Sequence, residues 1–257
     1  MNTPEDEAKD HLCTLIDEFI RDKSSLAHRV IAEKGAEKIK DGDIVLTYAK
    51  STVVEKTLRL AWAQGKIFQV IIVDNPEPLS EGKRLSTTLM NRKDTKDMNV
   101  ELISYLSISP YMEQATKVLL GGHAMMSNGS LYSRIGTAGI ALEAKASNVP
   151  VIVLCESIKF SDKAPSNSFD MNELAPVEEM LAGTKLNDAD VWNKASALEQ
   201  SHRILRAVED VEGMNAFNLM YDQTPAGWID VVISEHGAVP PTSVPVLNRL
   251  HNEADEI

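Results

Sequence analysis

Five short apolar runs, each followed by a stretch with helical spacing, constrain this chain more than any other feature. IVLTYA (44–49), IFQVIIVD (67–74), VELISY (100–105), VLLG (118–121) and VIVLC (151–155) are too short for buried helices and almost free of polar interruption. Strands that read as continuous apolar runs are buried on both faces. Between them lie segments with helix starts and helical periodicity. Ser51-Thr52 opens one that runs through Val54, Leu58 and Trp62 to Gly65. SEGKRLSTTLMNR, PYMEQATK and TAGIALEAKA (137–146) supply three more. Strands alternating with helices form a parallel sheet covered on both sides.

The expected fold is therefore a Rossmann-like, doubly wound α/β domain with a mainly parallel sheet. It occupies residues 42–257, after the break Asp41-Gly42-Asp43. The first 41 residues read as two helices. Ala8, Leu12, Leu15, Ile16, Phe19 and Ile20 share one face, and Leu26, Val30, Ile31 and Ile39 continue after Ser24-Ser25. Polar, turn-rich sequence follows Ser157. A helical insertion is expected near 176–213, where Val191, Trp192, Ala195, Leu198, Leu205 and Val208 form a stripe. FNLMYD (217–222) and DVVISE (230–235) read as late strands, and a final helix is expected around 243–250.

The net charge is −12 over 257 residues, which disfavours general binding to nucleic acid, because displacing counterions needs a cationic surface. The two cysteines, Cys13 and Cys155, do not make a disulfide framework, and a cytosolic setting is expected. The acidic start MNTPEDEAKD does not read as a signal peptide, and no apolar run reaches the roughly 20 residues a bilayer helix needs. Asn128-Gly129-Ser130 matches a glycosylation sequon but reads better as a turn.

In an open parallel sheet, ligands bind at the carboxyl ends of the strands. Two helix starts fall there, Lys50-Ser51-Thr52 and Gly136-Thr137. Free N–H groups and the helix dipole favour an anion at such starts, and Lys50 and Arg134 add charge. A sugar-phosphate or nucleotide pocket is one reading; simple helix capping by Ser51, Thr52 and Thr137 is the other. No Walker A sequence is present, and Gly129, Gly136 and Gly139 are not spaced as a dinucleotide fingerprint. Asp74 reads as a solvated strand-end carboxylate or a ribose partner. His123 is the histidine best placed for proton transfer, but no base or nucleophile adjoins it in sequence. The other five histidines lack metal-ligand spacing, so neither a metal nor a cofactor is expected.

The stretch GGHAMMSNGSLYSRIGTAGIALEAKASNVPVIVLCESIKF resembles one family, as do GDIVLTYAKSTVVEKTL, NLMYDQTPAGWIDVVISEHG and PPTSVPVLNR. That family joins the alpha, beta and delta regulatory subunits of translation initiation factor 2B to sugar-phosphate isomerases such as methylthioribose-1-phosphate isomerase. LIDEFIRDKSSLA, STVVEKTLRLAW, VLLGGHAMMSNG and CESIKF look most like its delta branch. In the isomerases a cysteine follows the first strand in a Thr-His-Cys run; here the run is Thr47-Tyr48-Ala49. An aspartate follows Gly-Ala in the loop after the fourth strand; here His123 follows Gly121-Gly122. The loop after the second strand, Asp74 to Pro78, lacks their arginine, and Ser133-Arg134 replaces their Asn-Lys. Isomerisation moves a proton between neighbouring carbons and needs an acid and a base in register, which a methyl group cannot supply.

Scaffold positions persist: Asn128-Gly129, Ile135-Gly136-Thr137, and Asn218 with Asp222 and Thr224-Pro225. The resemblance thus implies a pocket that has lost its chemistry, with Lys50, Ser51, Thr52, His123, Asn128, Arg134, Gly136, Thr137, Asn218 and Asp222 as its vestigial phosphate-site candidates. Tyr48, Lys50 and Tyr132 are bulky enough to fill it. The resemblance further implies a non-catalytic regulatory subunit of the guanine-nucleotide exchange factor for initiation factor 2. Its partners would be the beta subunit and other subunits of factor 2B, together with initiation factor 2 and its phosphorylated alpha subunit. Exchange chemistry would lie in the epsilon subunit. Leu219, Tyr221, Val244 and Leu247 are the candidate subunit-contact residues, with ordinary core packing as the alternative. An active isomerase and a phosphate or nucleotide sensor are the rival readings. Members of the delta branch carry a longer amino-terminal region, so the helical part is expected to be truncated here.

Overall fold

The computed structural model describes residues 5–19, 24–75, 81–92, 94–95, 97–177 and 215–255. The first two helices are α1 (Glu5–Phe19) and α2 (Leu26–Glu37). The α/β alternation follows as β1 (Ile44–Tyr48), α3 (Thr52–Ala63), β2 (Gln69–Asp74), α4 (Glu81–Met90), β3 (Asn99–Ser104), α5 (Ile108–Met112) and β4 (Lys117–Gly121). After it come β5 (Ala124–Met125), β6 (Leu131–Arg134), α6 (Thr137–Ala146), β7 (Val151–Leu154), β8 (Tyr221–Thr224), β9 (Val231–Ser234), β10 (Gly237–Val239) and α7 (Val244–Asp255).

The main sheet has the order β10-β9-β7-β4-β1-β2-β3, and only β10 runs antiparallel. Counting the parallel strands alone, chain order reads 3-2-1-4-5-6 across the sheet, the doubly wound arrangement expected from the alternating runs. Alternation along each strand divides the core. In β2, Val70 and Ile72 join α3 and α4 on one face, while Ile71 and Val73 join α5 and α6 on the other. Burying one such side chain fully stabilises by about 1.5–3 kcal/mol. The turn Asp41-Gly42 separates α2 from β1, yet Ile31 and Ala36 of α2 share a core with the sheet. Gly35 lets α2 approach α3 closely, since a Cβ there would stand 2.8 Å from Thr57 Cγ2. By contrast, Leu12, Leu15 and Ile16 of α1 are exposed among the described residues.

Two differences from the sequence reading shape the site. The segment after β4 is not an open loop: β5 and β6 form an antiparallel hairpin, and β8 completes a second, three-stranded sheet. The strand expected at 217–222 lies at Tyr221–Thr224 and belongs to that small sheet, with Leu219 making only an isolated bridge to Leu174. The helical stripe expected between Val191 and Val208 lies outside the described residues.

Candidate functional site

The chain order reverses between β1 and β4, and a cleft of about 500 Å³ opens at their carboxyl ends. Tyr48, Ala49 and Lys50 come from the end of β1, and Ser51, Thr52 and Val53 from the start of α3. Leu120 to His123 come from the end of β4. Ser133, Arg134 and Tyr221 come from the small sheet, and Glu156 and Lys159 from the turn after β7. His28 of α2 closes one side. Six expected residues therefore meet in one cleft: Lys50, Ser51, Thr52, His123, Arg134 and Thr137.

At the start of α3, Ser51 has extended backbone and its Oγ accepts from the Val54 N–H at 3.5 Å. A Cβ at Gly121 would collide with Ser51 Oγ, so glycine is required for β4 to pass this helix start. Among the described residues neither Lys50 nor Arg134 has an ion-pair partner. Lys159 is paired, 2.8 Å from Glu156 Oε2. Glu156 also meets His28 Nε2, and Lys56 Nζ lies 3.0 Å from His28 Nδ1. A lysine ammonium only donates, so Nδ1 accepts and Nε2 carries the proton given to Glu156. Burial pushes the Glu156 carboxyl up, but bonds from Lys159 and His28 outweigh this and hold it below the usual range.

The other helix start is already occupied. Asp222 Oδ2 accepts from the N–H groups of Gly136 (2.7 Å) and Ala138 (3.0 Å). Asp222 is only 6 % exposed and does not line the cleft. Burial raises its carboxyl to about 6, against the two N–H bonds that favour the charged form. Above it, the Tyr48 hydroxyl donates to the Ile135 carbonyl (2.6 Å) and accepts from Asn75 Nδ2 (2.8 Å). Burial pushes the Tyr48 phenol up, so it stays a neutral donor. The anion site expected at Gly136-Thr137 is thus filled by the chain's own carboxylate and roofed by its own phenol. Thr137 turns its hydroxyl to the Arg134 carbonyl instead.

The remaining expected positions lie elsewhere. Asn128 caps its own turn by accepting from Ser130, and lines a separate recess with Ser166 and Gln223. Asn218 Nδ2 donates to the Pro176 carbonyl. Asp74 is buried, and Oδ2 accepts from the Lys83 N–H at the start of α4, so it is not a solvated strand-end group. Of the contact candidates, Val244 is 1 % exposed and Leu247 packs on the same core, because α7 folds back against the sheet. The Val244 side chain lies within this chain's own core, and Leu247 is half-buried against it. Leu219 and Tyr221 are half-buried. What sequence reasoning missed is the aromatic cluster at the cleft mouth. His123 packs at a tilt on Tyr221 with centroids 4.6 Å apart, Tyr221 on Tyr132 at 4.9 Å, and His123 also lies 6.0 Å from Tyr132.

Ala49, which lines the cleft, has φ 54°, the left-handed region. That conformation costs an L-residue about 1–2 kcal/mol. Replacing Ala49 by glycine relieves it but loses about 0.4–1 kcal/mol through the unfolded chain. The expected net gain is about 0.5–1 kcal/mol in chemical denaturation; a loss would mean that the packing of the methyl group outweighs the strain.

A doubly wound sheet with a polar cleft at its switch point, lined by Ala49 after β1 and His123 after β4, defines a class: α/β proteins with a ligand-sized cleft at the carboxyl ends of a parallel sheet. The model of the initiation factor 2 subunit family matches residues 1–241, and the chain belongs to that family. It is 40% identical over 243 residues to translation initiation factor eIF2B subunit delta of Schizosaccharomyces pombe, covering 95% of this chain and 49% of that protein. The ribose 1,5-bisphosphate isomerase of Thermococcus kodakarensis is 28% identical over 232 residues, covering 87% of this chain and 61% of the isomerase. Among solved structures, the tetrameric eIF2B-beta2-delta2 complex from C. thermophilum contains a chain with TM-score 0.69 and 33% identity, covering 91% of this chain and 64% of that one. The chain spans about half the length of the yeast relative. No helix among the described residues is long and apolar enough to cross a membrane.

Proposed function

We propose that this chain is a non-catalytic regulatory subunit of the guanine-nucleotide exchange factor for initiation factor 2. The observation that carries this reading is the cleft itself: it is lined by Ala49 and His123, which the sequence resemblance matches to a thiol and a carboxylate of the related isomerases. Its partners are a beta-type subunit, other subunits of the same cytosolic complex, and initiation factor 2 with its phosphorylated alpha subunit. Exchange itself belongs to another subunit. The surface around Leu219 supports pairing with the beta-type subunit, since its bridge partner Leu174 and its chain neighbour Phe217 are 62 % and 61 % exposed. Exposed apolar clusters of this kind mark protein contacts. Co-expression with a beta subunit is expected to give a stable heterodimer, with no turnover of methylthioribose-1-phosphate or ribose 1,5-bisphosphate in a coupled assay. Measurable turnover, or a monodisperse monomer indifferent to beta, would overturn the proposal.

A second reading concerns the cleft and is compatible with the first: it still holds a phosphate-like anion. Lys50 and Arg134, unpaired among the described residues, support it, as does the start of α3 beside Ser51 and Thr52. The anion sits at α3, because the start of α6 is taken by Asp222. A hydrogen bond to a charged group contributes about 1.5–3 kcal/mol, so Lys50→Ala and Arg134→Ala are each expected to weaken phosphate binding about tenfold or more in calorimetry. Unchanged heats in both variants would remove this reading and leave a structural cleft.

A further inference from the structure

The aromatic cluster joins two regions that have no chain continuity. At one end, exposed His123 lines the cleft. Its ring packs at a tilt on Tyr221 and also directly on Tyr132, and these two tyrosines pack on each other, so the three rings form a closed cluster. Residues 132 and 221 point to the same side of the small sheet, because their strand neighbours Ser133 and Asp222 face the core. At the other end, the Tyr132 hydroxyl donates to the Met171 carbonyl at 3.2 Å. Met171 has φ 63°, a left-handed conformation that a non-glycine residue keeps only when its surroundings impose it. Here they do: besides the Tyr132 bond, Asn172 Nδ2 donates to the Tyr221 carbonyl (2.6 Å) and Asn172 Oδ1 accepts from the Tyr221 N–H (3.2 Å). The Ser168 hydroxyl oxygen accepts from the Gln223 N–H at 3.0 Å. These bonds shape the turn that presents Phe169, Met171 and Leu174 to solvent.

We propose that the cleft and this apolar surface are energetically coupled through His123, Tyr221 and Tyr132, so that an anion seated in the cleft changes how firmly the 168–174 turn is held for the beta-type subunit. The proposal rests on the two readings above for what occupies each end. An anion reaching Arg134 approaches Tyr221, because these residues face each other across β6 and β8. It restrains His123 and Tyr221, both of which pack on Tyr132, and the restraint reaches the strained turn through the Tyr132 hydroxyl. Coupling of this kind is reciprocal: subunit binding tightens the cleft by the same factor.

The test is hydrogen exchange across residues 166–175 of the full chain. His123→Ala is expected to speed exchange there by about fivefold or more, the lower end of ordinary coupling. In a Tyr132→Phe background, which keeps the ring and removes only the bond to Met171, the same change is expected to have little further effect. If His123→Ala leaves 166–175 unchanged, or if the two substitutions act independently, the coupling is refuted. Millimolar inorganic phosphate supplies a separate arm. Slowed exchange at both 52–54 and 166–175, with the second lost in Tyr132→Phe, supports the proposal. Protection of 52–54 alone refutes the coupling while the anion reading stands. Protection of neither overturns the anion reading, and the substitution arm alone then decides the coupling.

Discussion

Gly136→Ala is expected to destabilise this protein by about 3–5 kcal/mol, a large share of the 5–15 kcal/mol that holds a typical domain together. Two penalties add. Gly136 has φ 101°, outside the basins of L-residues, and such strain costs about 1–3 kcal/mol. A Cβ there would lie 2.9 Å from Tyr48 Oη and 3.0 Å from Tyr105 Cε2. Neither ring can yield easily. The Tyr48 hydroxyl is held by Ile135 and Asn75, and the Tyr105 hydroxyl donates to the Gly136 carbonyl itself at 3.1 Å. Overpacking of this kind costs about 1–3 kcal/mol more. Two other glycines separate the contributions. Gly65 has φ 83° with nothing within 4 Å of its notional Cβ, so Gly65→Ala reports the backbone cost alone, about 1–2 kcal/mol. Gly227 has neither burden, and Gly227→Ala is expected to be neutral or slightly stabilising. Urea denaturation of the three variants checks the series. If Gly136→Ala costs no more than Gly65→Ala, the tyrosine roof over α6 is looser than described.

The second large effect is a pH dependence located at Asp222. Its carboxyl is raised from 3.8 to about 6 by burial. The folded state therefore holds this proton more tightly than the unfolded chain does. Stability from this group is fully present below about pH 4 and is lost as pH rises towards 6. One pKa unit corresponds to 1.36 kcal/mol, so the whole effect is about 3 kcal/mol. Asp43 and Glu156 act in the opposite sense. Burial raises both, but the lysine bonds and other bonds to them prevail and hold them below the ordinary range, so their contribution is lost as pH falls. The net profile mixes the two trends, and Asp222→Asn separates them. An amide oxygen can still accept from the Gly136 and Ala138 N–H groups without titrating. Its nitrogen would take the place of Oδ1, which is buried without a partner, at a cost of about 1–3 kcal/mol. The stability of Asp222→Asn relative to the parent is therefore expected to rise by up to about 3 kcal/mol between pH 4 and pH 6.5. A difference that stays constant with pH would mean that the Asp222 carboxyl titrates normally.

These two residues also bear on why the cleft has the shape it does. The start of α6 has the attributes of an anion site, but a carboxylate and a phenol from the chain itself occupy it. The start of α3 keeps its cationic neighbours. An anion is therefore expected at one helix start and not at the other, although both look alike in sequence.

Elements whose signal is local were legible. The five apolar runs became β1, β2, β3, β4 and β7, and the helix read at 137–146 is α6 at the same residues. Ala49 and His123 were singled out from short runs, and both line the cleft. The small sheet was missed because its strands have two to four residues, too few to establish a period, and because β8 joins β6 from far along the chain. The packing of Val244 and Leu247 on the chain's own core could not be read from sequence either: an apolar helix face is the same whether it meets its own sheet or a neighbour.

The order of residues alone thus determined the alternating strands and helices of the main sheet, since each depends on neighbours a few positions apart. Only the folded arrangement decided which polar groups remain free. Asp222 reaches α6 from 84 and 86 residues away, and Tyr48 reaches Ile135 from 87. Hydrogen-bond satisfaction depends on distance in space, which spacing along the chain does not encode.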